Sequence, residues 1–466
     1  MELHPDFISQ IEKLFPNEYG DILKSVSKPA ETSVRINQRK YGCDANITDY
    51  VPWCKGGGYL SERPQFTYDV KLHRGSYYVQ DASSMILDYV AKRLCAGGDV
   101  VRYLDLCAAP GGKSTAVINS LPKGSLMVSN EIIGSRAQIL KENIIKWGSE
   151  NCVVCNDDSA RLGELTHYFD IIAADVPCSG EGMFRKDAQA VEQWSLGLVK
   201  ECVERQRMII DNIWDALKPN GYLIYSTCTF NSAENEEIVD YILENFDAET
   251  IDMEIAEEWG IRQGLHPDKF CYRFMPHMTR GEGLFLAVIR KGDGVRSDRV
   301  ESMRKRAMKG FKVNSLPQAQ LSMVKNWLLD SDRFKFMVEG DDLLAIESDW
   351  FNDMVLLKKS LHVIHSGVYL AKIKGKDLIP SQGLALSCSL NMGAWECVDV
   401  DYKTAIDYLR SEAIVVDSAI RSFLLLTYEG EPLGFVKNLG NRANNLYPKE
   451  WRIRSSYAPD APPNII

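Results

Sequence analysis

The residues with chemistry to offer gather in a few short stretches. LDLCAAPGGKST, residues 104–115, closes on the Gly-Lys-Ser of a phosphate-cradling loop. That loop needs a glycine five positions before Gly112, so that its backbone N–H groups can wrap a phosphate, and the residue there is Cys107. DVPCSGEG, 175–182, and YSTCTF, 225–230, each carry a cysteine, Cys178 and Cys228. A thiol with a pKa of about 8.5 is already a few per cent thiolate at neutral pH, and that suits it to attack a ring carbon as serine would not. One such use is addition to carbon 6 of a cytosine, which makes carbon 5 enamine-like and able to accept a methyl group. A lone cysteine is more often a small buried hydrophobe, so its company decides. That company is acidic: Glu131, Asp157, Asp158 and Asp175.

Hydrophobic patterning says what must position these residues. From residue 97 onward, apolar runs at 100–106, 125–130, 151–156, 169–175, 221–227 and 284–289 alternate with helical patterns near 113–121, 134–147, 196–217 and 232–245. Such an alternation predicts an α/β, doubly wound, Rossmann-like domain with buried, mostly parallel strands, whose ligands bind beyond the carboxyl ends of the strands. CAAPGGK, Glu131, Asp157–Asp158, Asp175 with PCSGEG, and Thr227–Cys228 all fall at strand tips, on one rim. Glu131 follows the first turn by about 25 residues, near the spacing at which an acidic residue accepts hydrogen bonds from both hydroxyls of an adenosine ribose. An acidic rim repels a polyphosphate unless magnesium intervenes, and it suits a ligand carrying a sulfonium cation. The glycine-rich loop therefore reads as a turn against S-adenosylmethionine.

These stretches resemble a known family. DLCAAPGGKS (105–114), DVPCSGEGMFRKD (175–187) and YSTCTFNSAENE (225–236) are similar to the signature motifs of the Sun-type (Fmu/NSUN) RNA cytosine-5 methyltransferases. TSVRIN (32–37) and YVQDASS (78–84) resemble the N-terminal region of that family, and RFMPHMTRGEGLFLAVIRK (273–291) its closing hairpin. GEPLGFVKNLGNRANNLYPKEWR (430–452) is similar to the PUA-like tail of the bacterial RsmF branch, which modifies small-subunit (16S) ribosomal RNA. The resemblance implies a catalytic trio. Cys228 is the nucleophile, Cys178 assists release of the methylated base, and Asp175 contacts the cytosine and the cofactor's vicinity. It also implies that Cys107, Ala108, Ala109, Pro110, Gly111, Gly112, Lys113, Glu131, Asp158 and Asp175 hold S-adenosylmethionine, with Asp158 preferred to Asp157 as the better fit to the family's spacing.

The rest of the chain bounds this reading. At 466 residues, roughly 150 per domain suggests about three domains. We expect an α+β RNA-recognition domain at 1–92, the methyltransferase domain at 93–291, a basic linker at 292–312, a small domain at 313–409 and a PUA-like RNA-binding domain at 410–466. The net charge of −10 excludes a uniformly basic coat but not local patches. Residues 291–312 hold eight Lys/Arg against three Asp/Glu, and 437–454 hold five against one. Tyr447 and Trp451 in that tail would either stack on unpaired bases or pack in a small barrel core. The 12 cysteines lack a paired spacing apart from CVVC at 152–155, which reads as a buried strand rather than a zinc site. His362 and His365 in HVIH read as structural, and no metal is expected. With neither a leader pattern nor a run of about 18 apolar residues, a soluble cytoplasmic protein is expected, acting as a monomer on RNA, either ribosomal RNA or the small subunit. Transfer RNA is the alternative substrate. Two rivals from other classes are a triphosphatase, which leaves Cys107 and Cys228 unexplained, and an RNA-binding protein with a methyltransferase fold that has lost its activity.

Overall fold

The computed structural model describes residues 3–40, 47–294, 299–314, 316–457 and 459–466. Its centre is a ten-stranded sheet. Strands β4 (Arg102–Asp105), β5 (Leu126–Asn130), β6 (Cys152–Cys155), β7 (Phe169–Asp175) and β8 (Leu217–Thr227) run parallel in the order β6-β5-β4-β7-β8. Strand order reverses between β4 and β7, so the loops after these two strands diverge and leave a crevice at the switch point. CAAPGGK follows β4 and VPCSGEG follows β7. Helices Gly112–Ser120, Gly134–Trp147, Leu196–Ile213 and Glu236–Asn245 lie where the periodicity predicts them. The parallel strands read as continuous apolar runs because both faces are covered. Leu104, Val128, Val153 and Ile172 are fully buried.

Upstream, helices Pro5–Leu14 and Tyr19–Val26 precede a three-stranded antiparallel sheet of order β2-β1-β3, made of β1 (Thr32–Ile36), β2 (Gly57–Leu60) and β3 (Tyr77–Val79). This unit holds the cofactor loop's helix by one buried cation. Arg35 donates from Nη2 to Thr115 Oγ1 (2.6 Å) and from Nε to Gln80 Oε1 (2.7 Å), and its guanidinium lies 4.6 Å over the Trp147 ring. The TSVRIN and YVQDASS stretches thus meet at the helix that follows CAAPGG.

On the β8 side the sheet continues antiparallel through β12 (Leu284–Lys291), which also pairs with β9 (Ala248–Thr250), then β11 (Cys271–Phe274) and β10 (Arg262–Gln263). Downstream lie two four-stranded sheets. One is formed by β13 (Phe334–Glu339), β14 (Asp342–Glu347), β16 (Val368–Lys374) and β17 (Asp377–Pro380), and the other by β18 (Cys397–Asp399), β19 (Phe423–Tyr428), β20 (Glu431–Asn438) and β21 (Ala443–Asn445).

Residues 348–366 do not stand apart from the catalytic sheet. The helix Phe351–Ser360 packs on it, and β15 (Val363–Ser366) becomes its last strand beside β6. Asp353, 1% exposed, accepts from Arg102 Nε (3.2 Å), Tyr168 Oη (2.8 Å) and Arg304 Nη2 (2.6 Å). Removing one partner of such a buried charge costs roughly 3–5 kcal/mol, so this joint is firm. The basic stretch 291–312 is accordingly less free than its charge suggests. Arg304 is committed to Asp353, and Lys291 Nζ donates to the carbonyls of Trp214 (2.7 Å) and Leu217 (3.0 Å); residues 295–298 lie outside the described residues. In the tail, Tyr447 is 3% exposed within the core of the last sheet and is closed to base stacking. Trp451 is half-buried, with Lys146 Nζ 5.5 Å from its ring. His365 is buried in β15 against Tyr369, its pKa pushed down to about 3 by burial. Both cysteines of CVVC are buried in β6, and no cluster of potential metal ligands occurs among the described residues. Nor is any described helix long and apolar enough to cross a membrane.

Candidate active site

Cys178 and Cys228 end neighbouring strands, and their Sγ atoms are 3.2 Å apart, both half-buried. The Cys228 N–H also points at Cys178 Sγ (3.3 Å). Gly182 allows the approach: a Cβ there would sit 2.7 Å from the Gly283 carbonyl and 3.0 Å from that of Cys228, while its N–H donates to the Cys228 carbonyl at 2.8 Å. Behind the two loops lies a buried polar lattice. Glu181 Oε2 accepts from the N–H groups of Phe230 (2.7 Å) and Asn231 (3.0 Å). Glu234 Oε2 accepts from Ser179 N–H (2.9 Å) and Gln206 Nε2 (2.9 Å), and Gln206 Nε2 also donates to the Pro177 carbonyl (3.0 Å). Both carboxylates are fully buried, and each ties one cysteine loop to the other or to the helix beneath. These residues lie inside the quoted motifs, yet nothing in their spacing marks them as braces.

Asp175 and Lys113 complete the cysteine side. Asp175 Oδ2 accepts from Lys113 Nζ (2.8 Å) and Oδ1 from Ser226 Oγ (2.8 Å). Burial works to lower the Lys113 pKa, but Asp175 and the nearby Cys228 outweigh it and hold the ammonium above its ordinary value. Cys178 is pushed well up by its contact with Cys228 and by burial, so it keeps its proton. Lys113, grouped by sequence with the cofactor loop, therefore has its charge directed toward the cysteines. Ser114 turns the other way. It is fully buried, donates to Asp105 Oδ2 (2.6 Å) and accepts from Ser129 Oγ (3.0 Å), which leaves no hydroxyl for a magnesium ion and excludes the phosphate-loop reading.

The loop Cys107–Lys113 wraps the other half of the crevice. Gly111 takes φ 112°, a left-handed conformation that favours glycine, and a Cβ there would meet Leu140 Cδ1 at 3.2 Å. Ala108 and Ala109 are buried, Cys107 half-buried and Pro110 exposed. Burial raises the Cys107 thiol well above its ordinary range, so it keeps its proton and serves as packing. Arg136 Nη2 donates to the Ala109 carbonyl (2.9 Å) and Asn143 Nδ2 to that of Pro110 (2.8 Å), fixing the loop to the helix Gly134–Trp147.

Glu131 stands at the tip of β5. It is only 3% exposed, because Ile133 N–H bonds to its Oε1 (2.9 Å) and Arg136 closes on Oε2 (3.4 Å). Ile132 and Ile133 beside it are 63% and 49% exposed. An adenosine needs such a pairing of a carboxylate for the ribose with bare apolar side chains for the ring. At the tip of β6 the adjacent aspartates diverge. Asp157 Oδ2 accepts the His362 N–H (2.6 Å), whereas Asp158 is exposed and caps a short helix through the Arg161 N–H (2.9 Å).

Comparison with known proteins agrees along the whole chain. The family model "16S rRNA methyltransferase RsmB/F" matches residues 96–290, "N-terminal domain of 16S rRNA methyltransferase RsmF" matches 3–82, and "Methyltransferase RsmF PUA domain" matches 396–453. The chain belongs to the RsmB/F methyltransferase family. Curated relatives named ribosomal RNA small subunit methyltransferase F are 29% identical over 482 residues in a Shewanella species, with 97% of each chain covered, and 28% identical over 476 residues in Erwinia tasmaniensis, with 96% of each covered. Among solved structures, a methyltransferase homologue from Pyrococcus horikoshii has a TM-score of 0.52 at 25% identity, covering 61% of this chain and 94% of that one. NSun6 from the same organism, solved with SFG, has a TM-score of 0.53 at 19% identity, covering 62% and 99%. The expected Rossmann-like methyltransferase fold is borne out, as is the PUA domain, and S-adenosylmethionine is the cofactor of this methyltransferase family.

Proposed function

We propose that this chain methylates carbon 5 of a cytosine in small-subunit (16S) ribosomal RNA through a covalent bond from Cys228 to carbon 6. The observation that carries this reading is the pair of sulfurs 3.2 Å apart beside the Lys113–Asp175 ion pair. Bound S-adenosylmethionine supplies an electrophilic methyl group. Glu131 and Asp158 offer acceptors to its adenosine, Ile132 and Ile133 offer an apolar face, and the Cys107–Lys113 backbone lines the methionine side. Cys178 lies 3.2 Å from Cys228, whose sulfur is the one that attacks, with the Lys113 ammonium nearby to favour negative charge there. Asp175 and Lys113 present an acceptor and a donor to the polar edge of the ring. Once Cys228 is bonded to carbon 6 its contact no longer holds the Cys178 proton, so Cys178 can lose that proton to solvent and, after methylation, accept the carbon 5 proton while the electron pair of the carbon 6–sulfur bond returns to Cys228. The base must leave its stack to reach these groups, which costs least in unpaired RNA. Incubation of the wild type and Cys228→Ala with 16S RNA or small subunits and S-adenosylmethionine, followed by bisulfite sequencing, tests the reading. A new protected cytosine with the wild type alone is expected. Methylation at another atom, or of transfer RNA alone, overturns it.

A further inference from the structure

The catalytic sheet ends on a strand that the chain supplies about 200 residues after the strand it pairs with. Residues Val363–Ser366 run antiparallel to β6, and two backbone bonds extend the ladder: Asn156 N–H to the His362 carbonyl (3.0 Å) and Gly367 N–H to that of Cys152 (3.1 Å). Covering the edge of β6 is reason enough for such a strand, since an open edge leaves a row of unpaired backbone groups. Its N-terminal end does more, because it enters the loops that carry the adenosine-side carboxylates.

His362 N–H donates to Asp157 Oδ2 at 2.6 Å. Asp157 N–H donates to Asn130 Oδ1 (3.0 Å), and Asn130 Nδ2 donates in turn to the carbonyls of Asp157 (2.9 Å) and Leu106 (3.1 Å). Asn156 Nδ2 donates to the carbonyls of Glu131 (2.7 Å) and Ile132 (2.9 Å). An unbroken set of hydrogen bonds therefore runs from the downstream strand to the backbone of Glu131, to the residue before Asp158 and to the residue before Cys107. The side chain of Asp157 is 9% exposed and turned into this set, while Asp158 faces solvent.

We propose that the downstream segment 361–366 is a working part of the cofactor pocket, with Asp157 as the positioning residue that transmits its seating to Glu131 and Asp158. The proposal rests on the reading above that those two carboxylates hold the adenosine. The adjacent aspartates divide the work: Asp158 meets the cofactor and Asp157 holds the loop. By linkage, cofactor binding must also tighten the seating of the strand.

The test uses the full chain. Asp157→Ala should raise both Kd and KM for S-adenosylmethionine about tenfold, the effect of one lost positioning bond to a charged acceptor, while kcat at saturating cofactor falls less than about twofold and KM for RNA stays put. His362→Pro, which removes the donor and leaves the carboxylate, should do the same. Asp157→Asn keeps an acceptor for the His362 N–H and should return cofactor affinity to near wild type. Unchanged affinity in folded Asp157→Ala, with Glu131→Gln clearly weakened, overturns the proposal and spares the cofactor reading. Asp157→Asn as weak as Asp157→Ala with His362→Pro normal also overturns it, by making Asp157 a direct cofactor contact. Unchanged affinity in Glu131→Gln overturns the cofactor reading and the proposal together. Amide hydrogen exchange of the wild type needs no variant: S-adenosylmethionine should slow exchange at Asn156, His362 and Gly367, and unchanged rates at all three refute the coupling.

Discussion

Replacing Glu131 by glutamine separates cofactor binding from folding. Alanine would be a poor probe, because Glu131 is almost wholly buried and truncation would strand the Ile133 N–H that its Oε1 accepts at 2.9 Å. Glutamine keeps that oxygen. What it loses structurally is the ion pair with Arg136, which is 50% exposed, so solvent screening holds that loss to about 1 kcal/mol or less. What it loses functionally is larger, because two ribose hydroxyls bonding to a charged acceptor are worth roughly 1.5–3 kcal/mol each, and a neutral amide recovers part of this. A net loss of about 2–4 kcal/mol corresponds to S-adenosylmethionine binding roughly 30- to 1,000-fold weaker. Calorimetric titration of cofactor into wild type and Glu131→Gln, with thermal unfolding of both, measures the two quantities. A folded variant that binds S-adenosylmethionine as tightly as the wild type refutes the assignment of Glu131.

Burial raises Asp105 to about 6 against the hydrogen bond from Ser114, with the Asp175 charge adding to the rise. Between about pH 4 and 6 the folded protein holds a proton that the unfolded chain releases, so this group's contribution to stability is lost as pH rises; relative to wild type, Asp105→Asn should gain roughly 3 kcal/mol across that window in urea unfolding, and a pH-independent difference refutes this. Lys113→Met should cut kcat by about 10²-fold or more while changing cofactor affinity little, as loss of a preorganised charge beside the reacting groups predicts; the opposite split would return Lys113 to the cofactor loop. Arg442, Lys449, Arg452 and Arg454 are exposed, and changing all four to glutamine should weaken RNA binding and flatten its log–log salt slope by up to about 3, whereas an unchanged slope clears the tail of phosphate contacts.

Much of the catalytic domain was legible because its signals are local. Apolar runs buried on both faces marked the five parallel strands, and polar residues at consecutive strand tips marked the rim. The features that escaped are those that depend on distant partners. No periodicity says that VIHS, at 363–366, would leave its own module and pair with CVVC, so HVIH read only as two structural histidines. Nothing in their spacing singles out Glu181 and Glu234 within their motifs, and only the packing of two loops against the helix Leu196–Ile213 makes them braces. Lys113 followed the glycine loop in sequence, but the first turn of its helix directs it across the crevice to Asp175. Tyr447 had two readings, and the core of the last sheet decided between them.

The roles of the two cysteines are the centre of the chemistry, and trapping the covalent RNA complex tests them most directly. Cys228→Ala and Cys178→Ala, each incubated with S-adenosylmethionine and small-subunit RNA, are resolved by denaturing electrophoresis beside the wild type. Each substitution removes a small half-buried side chain, and both loops keep their Glu181 and Glu234 braces, so both proteins should fold. With Cys228 intact and Cys178 gone, addition and methylation proceed but release is slowed, so an RNA–protein adduct should accumulate in Cys178→Ala and be absent from Cys228→Ala. An adduct from Cys228→Ala and none from Cys178→Ala would contradict the assignment, and no adduct from either, with an active wild type, would contradict the covalent mechanism itself.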